Sequence, residues 1–197
     1  MIHFSAAANT KPLRLRRTPR HLAAGETLYH TGEDGLAWRL EQGAVRLDLS
    51  GHDGQPAFAS LAVAGDILGC ETLLFGAYTF SASALTECHL SPWPEGVSAP
   101  ATGTLLASLA GAQRRAAELV TLRGGQAVDR VLGLIRLLAD GAGQVVLPSR
   151  QDIAAITDLR CETISRIIKA LERQHVLTPI RIDGVHATRS FALLPAG

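Results

Sequence analysis

The sequence changes its pattern once, close to Pro100, and this change limits what the chain can fold into. Before Pro100, short runs of β-type residues alternate with turns that contain glycine. After it, apolar residues recur at spacings of three and four, which is typical of amphipathic helices. The chain has 197 residues, enough for one large domain or two small ones. We therefore expect an α+β protein in which an all-β unit precedes a helical unit.

Six short segments between residues 21 and 94 have the composition of β-strands. They cover residues 26–29, 37–40, 44–49, 57–62, 80–85 and 88–93. Glycines stand in the turns between them, at Gly25, Gly32, Gly35, Gly43, Gly51, Gly54, Gly65, Gly69 and Gly76. Strands at a spacing of about 8–12 residues with glycine turns predict an antiparallel sandwich or barrel.

A basic stretch precedes these strands. Its charged residues alternate with Leu13 and Leu15, and they are Lys11, Arg14, Arg16, Arg17 and Arg20. We interpret the stretch as a solvated edge strand, since charges on an edge oppose pairing with other chains. A nucleic-acid-binding arm or a transit peptide is the alternative.

A helix predicted at residues 102–123 carries a narrow apolar seam. The members of the seam recur at spacings of 4, 3, 4 and 3, and they are Leu105, Leu109, Ala112, Ala116 and Leu119. This spacing is typical of a two-helix coiled coil, so we expect the helix to pair with that of a second copy. Arg114, Arg115 and Glu118 fall outside the seam. A single amphipathic helix packed on its own domain is the alternative.

Gly124 and Gly125 end this helix, and a second amphipathic helix follows at residues 126–140. After Pro148, Ser149 stands at an N-cap position with Asp152 three residues on, which satisfies the first turn of a third helix. Residues 157–160 then form a turn before a fourth helix.

The fourth helix carries an apolar stripe that faces inward and a polar face that points outward. The stripe consists of Ile164, Ile167, Ile168 and Leu171, at i, i+3, i+4 and i+7. The polar face presents Cys161, Glu162, Ser165, Arg166 and Lys169. We interpret the two helices as a helix-turn-helix whose second helix contacts base edges and phosphates. An ordinary helical hairpin with a solvated charged face is the alternative.

Two further features of the C-terminal part bear on this interpretation. β-Type runs at residues 176–177, 180–182 and 186–193, around Asp183-Gly184, predict the wing of a winged helix. Between residues 150 and 189, seven basic residues against five acidic ones leave a net charge of +2. This is a weak electrostatic footprint for a DNA-binding surface.

The segment SRQDIAAITDLRCETISRIIKALERQHVL resembles the DNA-binding segment of the cyclic-AMP receptor protein and Fnr (Crp/Fnr) family of bacterial transcription regulators. The preceding parts match that family in order, beginning with LAAGETLYHTGE, and the resemblance covers about residues 20–194. It implies an N-terminal antiparallel β-roll, a double-stranded β-helix of the cyclic-nucleotide-binding type, over residues 1–100. A dimerisation helix at residues 101–125 and a winged helix-turn-helix at residues 126–197 would follow.

The resemblance also implies roles for single residues. Glu162, Ser165 and Arg166 match the base-reading Glu-x-x-Ser-Arg of the Fnr-like branch, and Cys161 lies beside them. Four residues are expected to contact DNA phosphates, two from the resemblance and two from their positive charge. They are Ser149 and Arg150, and Arg160 and Lys169. These roles agree with chemistry, because arginine forks onto guanine and glutamate accepts from cytosine.

Two positions of this segment depart from the family. Asp158 stands where the turn usually has glycine, although aspartate tolerates a left-handed backbone better than most residues. Arg160 stands where Ser or Thr usually caps the recognition helix, which forgoes a cap worth about 1 kcal/mol.

The stretch GCETLLFGAYTFSASALTEC resembles the family's cyclic-nucleotide pocket without its essential side chains. Cys70 stands where the family has a ribose-binding Glu, and Tyr78, followed by Thr79, stands where it has a phosphate-binding Arg. Gly69 and Glu71 complete what we interpret as a vestigial effector pocket. A buried phosphate needs a paired cation, so we expect no tight binding of cyclic AMP.

The composition agrees with a protein that folds on its own and carries no cofactor. With 47% hydrophobic and 19% charged residues, the chain can bury a core. Its net charge of +1 does not indicate a binding partner. No cysteine precedes Cys70 to form an iron-sulfur switch, and the histidines show no ligand pattern for haem. No apolar run is long enough for a membrane, and the first twenty residues lack the apolar stretch of a signal peptide, which predicts a cytoplasmic protein.

We therefore predict a homodimeric activator of transcription, not an enzyme. It would bind double-stranded DNA at a palindrome with TGA-containing half-sites, without cyclic AMP and with RNA polymerase as a partner. One alternative is the same regulator gated by an unidentified uncharged ligand or by oxidation of Cys161. Another is a cupin-like metal enzyme, which would need clustered ligands on neighbouring strands, and residues 21–94 contain no HxH or HxxxE group.

Overall fold

A computed structural model describes residues 18–51, 54–94, 101–182, 185 and 189–194. The basic stretch at residues 11–17 lies outside the described residues, whereas Arg20 begins the first strand. No helix in the described part of the chain is long and apolar enough to cross a membrane.

The N-terminal part is a roll of two antiparallel sheets. Its strands are β1 (Arg20–Leu22), β2 (Thr27–Tyr29), β3 (Ala37–Gln42), β4 (Ala44–Ser50), β5 (Pro56–Val63), β6 (Ile67–Leu68), β7 (Ser81–Ala84) and β8 (Cys88–Trp93). One sheet has the order β1-β8-β3-β6 and the other the order β2-β7-β4-β5. All six predicted segments are strands. The short β1 and β6 and the single-turn helix α1 (Thr72–Phe75) were not predicted.

The roll closes around a core to which both sheets contribute. Leu40 and Leu90 come from one sheet and Val45 and Ala82 from the other, and all four are at most 1% exposed. The β3–β4 turn depends on Gly43, which has a φ of 95° and lies so close to the Glu87 carbonyl that a Cβ would overlap it. Glycine is required there on both counts.

The long helix α2 (Ala101–Thr121) packs along the roll through polar as well as apolar contacts. The Ser108 hydroxyl accepts a hydrogen bond from the Ile67 amide at 2.8 Å. The Arg115 guanidinium forms a buried ion pair with Asp66 and donates from Nε to the Leu61 carbonyl at 3.4 Å. Arg115, predicted to lie outside the apolar seam, therefore faces the roll.

The predicted seam of α2 is partly wrong, because some of its members pack within the chain. Leu119 is buried in the chain's own core, and Leu105 is half-buried against a cluster that includes Ile67. Of the other seam positions, Leu109 and Ala116 are exposed and Ala112 is half-buried. The large apolar side chains that α2 exposes are Leu106 (63%), Leu109 (49%) and Val120 (75%). The exposed stripe is thus rotated by about one residue from the predicted one, because the roll takes up one side of the helix.

The C-terminal part contains three helices and a small sheet. Its elements are α3 (Ala127–Leu138), β9 (Gln144–Val146), α4 (Arg150–Thr157), α5 (Cys161–Arg173), β10 (Leu177–Pro179) and β11 (Ser190–Leu193). The sheet is antiparallel with the order β10-β11-β9. Strands β10 and β11 confirm the predicted wing in part, while residues 183–184 and 186–188 lie outside the described residues. Residues 180–182 are not a strand, and β9 was not predicted.

One apolar cluster joins the roll, α2 and the C-terminal part. Ala44, Leu61 and Leu85 of the roll share it with Leu122, which follows α2, and with residues of the winged helix such as Ile135. The three predicted units therefore meet in a continuous core.

Candidate nucleic-acid interface

The N-terminus of α4 is closed by the predicted cap. Ser149 has an extended backbone (φ −61°, ψ 157°), and its Oγ accepts from the Asp152 amide at 3.1 Å. The Ser149 hydroxyl donates in turn to Asp152 Oδ2 at 2.6 Å. The N-cap interpretation of Ser149 is therefore confirmed, with Asp152 as its partner.

Two arginines, Arg150 and Arg189, lie near each other at the start of α4. Arg150 is its first residue, and burial followed by repulsion from Arg189 lowers the pKa of Arg150. Arg189 donates from Nε to the Leu147 carbonyl at 2.7 Å, which holds its side chain beside this end of α4. Two close cations at a helix N-terminus favour an anion such as a phosphate. Arg189 was counted only as a charge in the sequence, since its position depends on the fold of the wing.

The turn between α4 and α5 has the geometry that the sequence predicts. Asp158 adopts the left-handed conformation (φ 53°, ψ 47°), and its amide donates to the Ala154 carbonyl. Arg160 is the N-cap residue of α5, and its side chain makes no capping hydrogen bond. Arg130 of α3, which was not predicted from the sequence, donates from Nη1 to the Thr157 carbonyl at 3.2 Å. This hydrogen bond ties α3 to the end of α4, where the turn begins.

The polar residues of α5 share one outward surface. Glu162, Arg166 and Lys169 are exposed, Ser165 is half-buried, and the spacings of 4 and 3 between the exposed residues keep them on one side of the helix. The opposite side buries Ile164, Ile168 and Leu171. We call the surface formed by Glu162, Ser165, Arg166 and Lys169 the recognition face.

Cys161 lies between the two helices rather than in the centre of the recognition face. It is half-buried, and its thiol contacts the Arg150 carbonyl at a sulfur-to-oxygen distance of 3.6 Å. A role for Cys161 in reading bases stays a prediction. The contact places the thiol beside the first residue of α4.

The vestigial effector pocket is filled by protein side chains. Tyr78 is 5% exposed, and its hydroxyl donates to the Leu36 carbonyl at 2.7 Å. Its ring stacks on that of Tyr29, with 3.7 Å between the centroids and 6° between the planes. A Cβ at Gly35 or Gly69 would overlap the Tyr78 ring, so both glycines fit the ring closely.

Glu71 and Thr79 of this pocket are hydrogen-bonded to each other. Glu71 Oε1 accepts from the Thr79 amide and hydroxyl at 3.4 and 3.3 Å. Cys70 is half-buried, and burial followed by the negative charge of Glu71 raises the pKa of its thiol. Burial likewise raises the pKa of Tyr29 and of Tyr78. This segment therefore holds two stacked tyrosine rings whose hydroxyls stay neutral.

A β-roll, a helix packed along it and a winged helix-turn-helix with an exposed polar recognition face define the class of DNA-binding regulators of transcription. Residues 19–96 match the cyclic nucleotide-binding domain family. The chain is 31% identical to the nitrogen fixation regulation protein FixK of Bradyrhizobium diazoefficiens, over 85% of this chain and 81% of the relative. This chain belongs to the Crp/Fnr family of transcription regulators.

Other relatives and solved structures agree with this assignment. The transcriptional regulator LdrP of Thermus thermophilus is 29% identical, over 80% of this chain and 86% of the relative. The CRP-family regulator TTHB099, also of Thermus thermophilus, superposes with a TM-score of 0.65 at 26% identity, covering 88% of this chain and 91% of that one. FixK2 of Bradyrhizobium japonicum gives 0.62 at 26% identity, with coverage of 89% and 91%. These relatives are regulators, which sets aside the metal-enzyme alternative.

Proposed function

We propose that this protein is a homodimer that binds a palindromic DNA site with TGA-containing half-sites and needs no cyclic AMP to do so. The observation that carries the proposal is the recognition face, where Glu162, Ser165 and Arg166 lie together on an exposed surface opposite a buried apolar stripe. Arginine and glutamate side chains on one helix face match the donors and acceptors of a G·C pair in the major groove.

The start of α4 supports a second contact, to the DNA backbone. Ser149 and Arg150 lie at a helix N-terminus with Arg189 nearby, and such an arrangement binds phosphate without reading sequence. Arg160, just before α5, and Lys169, at the C-terminal end of the recognition face, are exposed cations that can add phosphate contacts. We infer that these residues fix the register of the protein on DNA, while the recognition face supplies the specificity.

Dimerisation is supported by the exposed stripe of α2. Leu106, Leu109 and Val120 are large apolar side chains on the outer side of one helix. Their exposure is costly in water, at about 25 cal/mol per Å² of apolar surface. A second copy of the same helix would cover them, and a two-fold dimer would then present two recognition faces to inverted half-sites about one DNA turn apart.

Independence of cyclic AMP is supported by the stacked tyrosines. By the sequence resemblance Tyr78 stands where the family has its phosphate-binding arginine, and its ring is buried against Tyr29. A nucleotide would have to displace both rings and bury its phosphate without the cation that the family supplies. Activation through RNA polymerase is an expectation from the resemblance, and the cytoplasmic location is an expectation from the sequence pattern.

Selection of binding sites from random DNA, with and without cyclic AMP, tests the proposal. We expect inverted TGA-containing half-sites and the same enrichment in both conditions. Sites that lack TGA or inverted symmetry would refute the assignment of specificity, and enrichment only with cyclic AMP would refute independence.

Gating by oxidation of Cys161 is a second candidate, favoured by the contact of its thiol with the Arg150 carbonyl. A sulfenic acid or mixed disulfide there would push on the start of α4, the proposed phosphate contact. Peroxide treatment should then weaken binding of the selected site in the wild type and not in Cys161→Ser. Equal affinity of oxidised and reduced wild type would remove this candidate.

A further inference from the structure

An ion-pair network joins the β-roll to the first helix of the helix-turn-helix. Arg46 on β4 donates from Nη1 to Asp152 Oδ1 in the first turn of α4, at 3.0 Å. Its other two donors hold Asp48, from Nε to Oδ2 at 2.8 Å and from Nη2 to Oδ1 at 2.6 Å. No local pattern pointed to a role for Arg46 or Asp48, because Arg46 and Asp152 are 106 positions apart.

The surroundings of Arg46 fix its guanidinium in place. The side chain is only 17% exposed, and its Cζ lies 5.9 Å from the centroid of the Phe58 ring on β5. On the same ring, at 6.0 Å, lies the guanidinium of Arg123, just after the end of α2. The network therefore touches two neighbouring strands of the roll, the end of the long helix and α4. Arg46 donates three hydrogen bonds from one planar guanidinium. A lysine ammonium on a flexible stem could not reproduce this geometry.

Asp152 divides its carboxylate between two tasks. Oδ1 accepts from Arg46, and Oδ2 accepts from the Ser149 hydroxyl within the cap of α4. Asp152 thereby links the β-roll directly to the N-terminal cap of α4. Arg150 is the first residue of that helix. Without Arg46, the carboxylates of Asp48 and Asp152 would face each other across the domain boundary and repel.

We propose that Arg46 is a positioning residue for DNA recognition, which acts through Asp152 to fix the angle between the roll and the winged helix. The inference rests on the proposed function of a dimer that reads two half-sites. The apolar core that the roll and the winged helix share holds them together, but hydrophobic contact does not depend on orientation. The hydrogen bonds of the Arg46 guanidinium do depend on orientation and therefore favour one angle. A fixed angle in each subunit gives a fixed separation of the two recognition faces, and hence a preferred spacing of half-sites.

Operators with altered spacing test this role in the full-length dimer. Arg46→Gln should lower the preference for the selected spacing, over sites with one or two base pairs inserted or removed, by about tenfold. Its affinity for a single half-site should not change. Arg39→Gln is the matched control, because Arg39 is 19% exposed and pairs with Glu41 two residues along its strand, but in the other sheet of the roll.

Asp152→Asn supplies the second half of a double-mutant cycle, since asparagine keeps the shape of the cap partner. It should reduce the spacing preference as Arg46→Gln does, and the double variant should lose little more. Equal loss of affinity for all sites, single half-sites included, would show a general effect on stability and overturn the proposal. Additive losses in the double variant would overturn it as well.

A measurement without DNA separates this inference from the proposed function. Spin labels at Ala59→Cys on β5 and Gln174→Cys after α5, in a background with Cys70 and Cys161 replaced by serine, report the distance between roll and winged helix. We expect a broader distance distribution for Arg46→Gln than for the wild type or Arg39→Gln. An unchanged distribution would overturn the positioning role even if palindromes are bound, and a broadened one would support it even if they are not.

Discussion

The ring of Tyr78 lies flat on that of Tyr29, with 3.7 Å between the centroids, in the segment that the sequence resemblance matches to the family's cyclic-nucleotide pocket. The Tyr78 hydroxyl donates its hydrogen bond to the Leu36 carbonyl. A ligand that entered here would have to break both the stacking and the hydrogen bond, and nothing in the pair of rings would compensate a phosphate charge.

The stacked tyrosines predict that cyclic AMP does not bind. Titration calorimetry with cyclic AMP up to millimolar concentration should show no saturable heat, and operator affinity should stay the same. A dissociation constant in the micromolar range would contradict the account and would require a cation that enters the pocket from elsewhere.

The exposed stripe of α2 predicts that Leu109→Glu yields monomers. A charge placed in an apolar interface loses its hydration without a partner, which costs several kcal/mol per dimer. Sedimentation should show the monomer mass, and operator binding should weaken. Leu49→Glu is the control, because Leu49 on β4 is 47% exposed against 49% for Leu109. A dimeric Leu109→Glu protein with full affinity would show that another surface forms the dimer.

The cap of α4 predicts that Ser149→Ala lowers the free energy of unfolding by about 1 kcal/mol. The change removes both the acceptor for the Asp152 amide and the donor to its carboxylate. Denaturant unfolding measures the loss, and Ser149→Thr, which keeps the hydroxyl, should recover most of it. A Ser149→Ala protein as stable as the wild type would mean that the cap contributes nothing.

The buried thiol of Cys88 predicts a loss of stability in alkali. Burial raises the pKa of Cys88 from 9.0 to about 11, so the folded state favours the neutral thiol. This contribution is fully present below pH 9 and declines as the pH rises from 9 to 11, by at most about 2–3 kcal/mol. Unfolding free energies measured across this range should fall more steeply for the wild type than for Cys88→Ala. Parallel pH profiles would contradict the assignment.

The sequence predicted the strands, the cap and the recognition face because each depends on local pattern. Ser149 and Asp152 are three residues apart, and the residues of the recognition face recur at helical spacing. Asp158 took the left-handed turn as expected for its side chain.

Features that depend on long-range contacts were missed. The rotation of the exposed stripe on α2 follows from the Arg115–Asp66 ion pair and from the burial of Leu119, and a heptad pattern does not reveal which side of a helix its own domain covers. The same holds for Arg46, whose partner Asp152 lies in another domain. Short elements such as β6 and α1 carry too few residues for a period to show.

The central claim is that the recognition face reads sequence while the start of α4 holds phosphate, and the base preference of two arginine variants tests it most directly. Binding of the selected operator and all its single-base variants should be measured for Arg166→Ala and Arg150→Ala at several salt concentrations. Arg166→Ala should lose discrimination at one guanine of each half-site, by about 1–3 kcal/mol per contact. Arg150→Ala should weaken all sites about equally and lower the salt dependence. A uniform loss for Arg166→Ala would contradict the account.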